Sequence, residues 1–321
     1  MPDLTTGGVH VNKLLTNVGL RWKNLTWIAD QCCPIVPVKN KTDLYQSWHK
    51  SPWFRDEARY VEAGSSAPRI GLGVTLTDSY QCITYKAAYP LARELKANAD
   101  SELQIQARAA ELCTNAIMLA RERRVARLFE MTSDDTQGTI WTKYTTLSGT
   151  NQWSDFTNSD PVTDIDTGKA SVEDNGGGLL ANTCIMGVAA WRKLRRHPVI
   201  TAMIFGGGAP GPKVVTPALF GQAFEFDKVL IGRGQYTADE EDTDESGITY
   251  SNIWQKHMWI GHVTNASSVL EPSAAYMFRE FYKVRSWYDD DTDTDFVEAS
   301  ESIDEVAVSA DIGYIIENVV A

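Results

Sequence analysis

The chain has no uninterrupted apolar run approaching the ~20 residues that a membrane-spanning helix needs, so a helical span is excluded. Its start, Met1 to Gly7, lacks the basic and apolar regions of a signal peptide. Five cysteines are an odd number, and Cys32 and Cys33 stand side by side with no Cys-x-x-Cys spacing. Together these absences argue against a disulfide framework and predict a reducing compartment. Basic residues are also scarce: 30 Lys and Arg face 42 Asp and Glu, a net charge of −12. Sequence-independent nucleic-acid binding is driven by cations neutralising phosphates, so tight binding of that kind is disfavoured. What remains is an ordinary globular composition, 43% hydrophobic and 22% charged, in 321 residues that can bury one or two sizeable cores.

Catalytic signatures are missing as well. Gly206 to Lys213 imitates a phosphate-binding loop, but Pro212 separates Gly211 from Lys213 and no Ser or Thr follows; it reads as a surface loop. Asp291, Asp293 and Asp295 alternate like the start of a calcium loop, yet Phe296 holds the place of its glycine and Ser302 that of its closing glutamate. His257 and His262 are five apart in an apparent strand, which is not a zinc spacing. No Gly-x-Ser-x-Gly elbow occurs, and the abundant carboxylates single out no acid–base pair. The residues therefore nominate no catalytic group, cofactor site or metal site.

What is present is organised around Leu91 to Gln137, the longest stretch without Gly or Pro. Ser101 and Gln104 have the spacing of a capping box, and the periodicity predicts a helix to about Met131. At ~1.5 Å per residue such a helix spans roughly 45 Å. Gln104, Arg108, Glu111, Asn115 and Glu122 draw one polar seam, while apolar residues including Leu112, Cys113, Ile117 and Leu128 cover most of the remainder. Arg121, Arg123, Arg124 and Arg127 at the exit suit the helix dipole. A helix apolar over so much of its surface needs protein on more than one side.

Before it, residues 1–45 read as an arm with little core, in which Trp22, Leu25, Trp27 and Ile28 make one apolar knot and Cys33 to Val38 is extended. Residues 46–90 read as a long hairpin: an outgoing strand over Trp48 to Tyr60, a tip over Glu62 to Pro68, and a return over Thr75 to Tyr89. It has too few apolar residues to stand alone, and is either a sheet edge of its own domain or a partner-binding arm. After the helix comes a β-leaning Thr139 to Thr150. Asp160-Pro161 then starts a helix that ends at Gly176 to Gly178, followed by a strand over Asn182 to Met186. A helix over Val188 to Arg196 is stopped by His197-Pro198; Thr216-Pro217 caps another to Phe224, and a strand runs from Lys228 to Ile231. Residues 159–232 thus form an α/β layer. Further strands are predicted at Ile253–Val263, Phe278–Tyr288, Phe296–Ser302, Val306–Ala310 and Tyr314–Val319, with acidic loops over Asp239–Glu245 and Asp289–Asp295. The one dense basic cluster, Arg192, Lys193, Arg195 and Arg196, complements the end of its helix, with acidic loops of neighbouring copies as counterparts.

In this order the elements make a tile. The chain resembles the major capsid proteins of tailed phages, built on the Hong Kong 97-type shell fold, over roughly residues 45–321. The resemblance rests on Tyr89 to Arg93 and Ala97 to Asp100 leading into a helix with Leu119 to Glu122, on Trp153 to Asp155 and Asp160-Pro161, on Asn182, Trp191 and His197 to Ile200, on Phe226 to Gly232, on Ile253 to His257, and on Gly313 to Ile316. It implies an α+β fold with an N-terminal arm (1–45), an extended loop reaching a neighbour (46–90), a peripheral domain with a spine helix (91–158), an axial domain (159–270) and strands returning to the periphery (271–321). It implies self-assembly into pentamers and hexamers around double-stranded DNA without tight specific binding, in a virion assembled in the host cytoplasm. A separate scaffolding protein, a portal and a decoration protein are the further partners; no membrane is involved. The expected interface residues are Arg59, Glu62, Gly64, Pro68 and Arg69 at the loop tip, and Arg192, Arg195 and Arg196. No cross-linking Lys–Asn pair is assigned. Two rivals are a protein compartment of the encapsulin type enclosing protein cargo and, from another class, an acidic β-rich hydrolase or binding module.

Overall fold

A computed structural model describes residues 10–11, 27–48, 55–56, 58–62, 64–67, 69–70, 74–92, 102–133, 135, 140–206, 214–239, 247–269 and 271–321. The described elements begin with β1 (His10–Val11), α1 (Ala29–Cys32), β2 (Ile35–Pro37) and β3 (Thr42–Trp48). Next come β4 (Val74–Gln81), β5 (Ile83–Ala92), the long helix α2 (Glu102–Glu130) and β6 (Lys143–Thr146). The middle alternates α3 (Pro161–Gly176), β7 (Thr183–Gly187), α4 (Val188–Leu194), α5 (Pro198–Phe205), α6 (Pro217–Phe224) and β8 (Lys228–Gly232). A small pair, β9 (Gln235–Tyr236) and β10 (Ser251–Asn252), precedes β11 (Met258–Gly261), the long β12 (Ala275–Asp289) and β13 (Thr294–Ala307), and β14 (Gly313–Glu317).

Two five-stranded sheets carry the mass. One has the order β6-β14-β11-β7-β8, and its inner strands are buried on both faces, as their nearly continuous apolar sequences require. Register sorts their side chains. Met186, Met258 and Ile316 align, as do Cys184, Ile260 and Tyr314, and both rows enter one core with Ile165, Trp191, Leu194 and Phe220 of the helical layer. The intervening row, Ile185, Trp259 and Ile315, points the other way, to Phe129 of α2, Trp141 and Trp254. The second sheet has the order β1-β12-β13-β5, with β2 also on β12. Against it α2 packs Ala109, Ala110, Cys113 and Ile117 on Leu91, Val284, Val297 and Ala299. α2 therefore contributes to both cores, as do β12 and β13, whose Ala275, Met277 and Ile303 join Phe129 and Trp259.

Local signals fixed the helix ends. Asp160 accepts from the backbone N–H groups of Val162 and Thr163 ahead of Pro161, and Gly177 closes α3 in the left-handed region at φ 71°. Thr216 caps α6 through Leu219 N–H. The extended Cys33 to Val38 is present as β2, and the arm around it lies on its own subunit: Ile28, Ala29, Cys32 and Cys33 are buried beside Val125 and Phe129.

Other expectations need correction. The outgoing strand of the hairpin is Thr42–Trp48, paired antiparallel with Val74–Gln81; the described residues from Arg55 to Tyr60 are not strand. The return breaks at Cys82, and β5 beyond it belongs to the second sheet beside β13. Of Ile253–Val263 only Met258–Gly261 is a strand, apart from the two-residue β10 before it. Phe296–Ser302 and the first two residues of the expected Val306–Ala310 strand lie in one strand, β13, because Asp304 and Glu305 between them find partners in Gln81 N–H and Arg124. β13 ends at Ala307, and Ala310 begins a 3-10 turn. Pro198 stops one helix and also starts α5, occupying its first turn where a missing N–H costs nothing. Leu112, grouped with the covering apolar residues, is 52% exposed, whereas Ile117 is 3% exposed. Arg121 and Arg124 turn to the second sheet and bind Glu301 and Glu305; only Arg127 stands in the last turn. Ser101, Trp22, Leu25, Pro68, the loop 207–213 and most of the acidic loop after Asp239 lie outside the described residues.

Candidate functional site

The root of the β3–β4 hairpin is held by its own subunit. Tyr45 and Tyr80 pack on Phe278 of β12 with ring centroids 5.4 and 4.6 Å away, and Val36 and Cys82 join the same cluster. Beyond that root the described loop residues have no core. Arg59, Glu62, Gly64 and Arg69 are all exposed, and the tip turns through a Ser65 N–H to Glu62 carbonyl bond with Gly64 at φ 94°. Two apolar side chains that the sequence reading did not nominate stand out here: Tyr60 is 92% exposed and Ile70 62%. Each directly follows an arginine in sequence, Arg59 and Arg69. Placing that much apolar area in water is unfavourable by roughly 1.5–3 kcal/mol per side chain, which a covering partner would recover. The signal was available in the sequence as large apolar residues inside a turn-rich segment.

The basic cluster divides. Trp191 and Leu194 are buried under α4, so Arg192, Lys193 and Arg196 face outward. Arg195 is half-buried and its Nε has no hydrogen-bond partner. His197 is fully buried, its Nε2 3.0 Å from Ser159 Oγ and its ring edge-on to Phe156; burial holds its pKa below the usual histidine value. Among the described residues no hydrogen bond or ion pair joins this cluster to the loop tip; the two candidate surfaces belong to different layers.

A third feature escaped sequence reasoning. Glu122, the last residue of the polar seam, is fully buried and holds three segments at once. Its carboxylate accepts from Ile28 N–H at 3.1 Å, Ala29 N–H at 2.8 Å and Trp254 Nε1 at 2.6 Å. Burial raises its pKa above the ordinary carboxylate range, against the lowering effect of those donors. Beside it Arg121 reaches Asp30 at 2.7 Å and Glu301 at 2.8 Å, and Arg124 forms a bidentate pair with Glu305 while lying over the Tyr85 ring. Two turns on, Glu130 accepts Gln255 N–H through both oxygens and its pKa is pushed up to about 8 by burial. Acidic residues of α2 thus fasten the arm and the 254–257 loop to the helix. A polar seam in sequence does not reveal whether it faces water or buried N–H groups.

The remaining candidates stand apart from one another. His257 is buried and its Nδ1 accepts Asn318 N–H; His262 Nδ1 lies 2.9 Å from the Leu180 carbonyl. The five cysteines are free and buried. Asp291 and Asp293 sit in the turn between β12 and β13, where Asp289 caps Asp291 N–H and Tyr288 donates to Asp293. Among the described residues no group of three or more acids, histidines and cysteines is placed to hold a metal ion.

No protein-family model matches the chain. The major capsid protein of Burkholderia phage BcepMu is 24% identical over 322 residues, covering 96% of both chains. That of Pseudomonas phage JBD67 is 26% identical over 221 residues, 69% of this chain and 68% of the relative. Among solved structures, a phage-related protein of Bordetella bronchiseptica RB50 superposes with a TM-score of 0.76 at 20% identity, over 97% of this chain and 98% of that one.

Proposed function

We infer how this subunit works from its membership: the chain belongs to the major capsid proteins of tailed phages, built on the Hong Kong 97-type α+β fold, and forms an icosahedral shell. Its activity is association, and no catalysis is assigned to it. In this reading identical copies meet as pentamers and hexamers. Residues 159–270 act as the body of the axial domain around each capsomer centre, with β6 and β14 completing its sheet, and the rest of 91–158 and 271–321 as the peripheral domain. Residues 1–45 are the arm and 46–90 the extended loop that lies on a neighbouring copy. Each interface is modest and the sum is large, so that misplaced copies can dissociate before closure.

The observation that carries the loop assignment is the contrast within one hairpin. Its root is packed by three aromatic rings, while its tip exposes Tyr60 and Ile70 with no core of their own. Arg59, Glu62, Gly64, Pro68 and Arg69 then serve the contact between copies, and Arg192, Arg195 and Arg196 a second one through the axial layer. A scaffolding protein guides closure, a portal occupies one vertex, and a decoration protein can bind outside. DNA fills the lumen without tight contacts, in keeping with the charge of −12.

The test is to replace Arg59–Gly73 with a short Gly-Ser link. The isolated subunit keeps its circular dichroism and a cooperative melt, while shells fail to close or fall back to capsomers. Unfolding of the subunit, or undisturbed particles, would refute the loop assignment.

A further inference from the structure

The loop carries Tyr60 and Ile70 into solvent, and the surface of the subunit offers a groove of matching character. It runs along α6 and holds about 530 Å³, lined by Pro217, Ala218, Gly221, Phe226 and Val229 with Gln222 at its side. Its acidic members are Glu225 and Asp227. Glu225 is 87% exposed, and the nearest cation, Lys169, is 3.7 Å from it. Lys169 is itself turned inward, donating to the Phe224 carbonyl and lying over the Phe226 ring. The groove therefore presents an apolar floor and an acidic rim.

We propose that Tyr60 and Ile70 of one copy seat in the α6 groove of a neighbouring copy, with Arg59 and Arg69 meeting Glu225 and Asp227. The proposal rests on the reading that the loop reaches a neighbour, and adds where it lands. Two properties select this groove. An aromatic side chain next to an arginine is the combination that dominates interface energetics when it enters an apolar pocket. The rim charges are opposite to those of the two arginines, which fixes register and rejects other seats. Another cleft, about 370 Å³ at the end of α2, mixes Arg123 and Arg127 with Glu130 and Asp135, so it presents no rim of one sign to select the two arginines.

Two single-cysteine chains test the landing site. Tyr60→Cys and Gln222→Cys both change exposed side chains, and the five native cysteines are buried, so folding and background oxidation are not at issue. Assembled together under mild oxidant, the two variants give a disulfide-linked pair of one chain of each kind, whereas either variant assembled alone gives none. Shells that form without that hetero-pair overturn the landing site, while the loop reading stands if replacing Arg59–Gly73 still blocks closure. Shells indifferent to that replacement overturn the reading itself. In a second arm, Tyr60→Ala raises the subunit concentration needed for assembly by about tenfold or more, and Tyr60→Phe much less. Arg59→Glu with Arg69→Glu blocks assembly, and Glu225→Arg with Asp227→Arg restores it in the same chain. Equal assembly of all these variants contradicts the proposal.

Discussion

Replacing Glu122 by alanine removes the acceptor shared by the arm, the long helix and the loop around Trp254. Three buried donors, Ile28 N–H, Ala29 N–H and Trp254 Nε1, lose their partner at 2.6–3.2 Å. An unsatisfied buried donor costs about 1–3 kcal/mol, and the vacated volume adds to this. Relief of the desolvated carboxylate offsets part, leaving a net loss of roughly 3–5 kcal/mol. That is a large fraction of the ~5–15 kcal/mol by which a typical domain is stable. Glu122→Gln keeps one carbonyl acceptor but turns an amide donor toward other donors, so it loses about half as much. Urea unfolding of the unassembled subunit, followed by tryptophan fluorescence, reads both variants. The alanine variant should also free the arm first, seen as protease cleavage near residues 27–33 before global unfolding. A midpoint equal to wild type for Glu122→Ala would refute the view that this carboxylate fastens the three segments.

Ile117→Asp and Leu112→Asp separate the two faces of the same helix. The first buries a carboxylate among Leu91, Val284 and Val297 and should cost roughly 5 kcal/mol or more, while the second, at a half-exposed site, should change the urea midpoint little. Equal effects would show the helix rotated from the arrangement described. Glu130 gives a pH signature: its folded pKa, raised to about 8, lies above its unfolded value, so the folded state holds the extra proton between the two. Its contribution to stability is greatest below about pH 4.5 and falls away as pH rises through about 8. Glu130→Gln should therefore flatten that decline between about pH 4.5 and 8 relative to wild type, and parallel curves would contradict the assignment.

Local chemistry was legible and long-range pairing was not. Asp160-Pro161 and Thr216-Pro217 announce their helices because a cap depends on residues three positions away. The length of α2 could be read within a residue of each end, but not its rotation: Leu112 and Ile117 are both apolar, and periodicity alone does not say which row meets the sheets. β13 looked like two strands because Asp304 and Glu305 are polar, and only folding brings Gln81 and Arg124 to them. The hairpin was placed too late in the chain, since Thr42 to Trp48 gains its strand character from pairing with Val74 to Gln81 across a distant loop. At the candidate surfaces the charged residues were named from sequence, and the apolar anchors Tyr60 and Ile70 were not. Exposure is a property of the fold, and a tyrosine in a turn-rich stretch does not declare whether its own subunit covers it.

Electron microscopy of the purified full chain, with and without a scaffolding partner across salt and protein concentration, tests the central claim most directly. The account predicts capsomers, sheets, tubes or closed shells, with the equilibrium moving toward shells as concentration rises. A monodisperse species of about the 35.6 kDa chain mass under every condition, scaffold included, would contradict it.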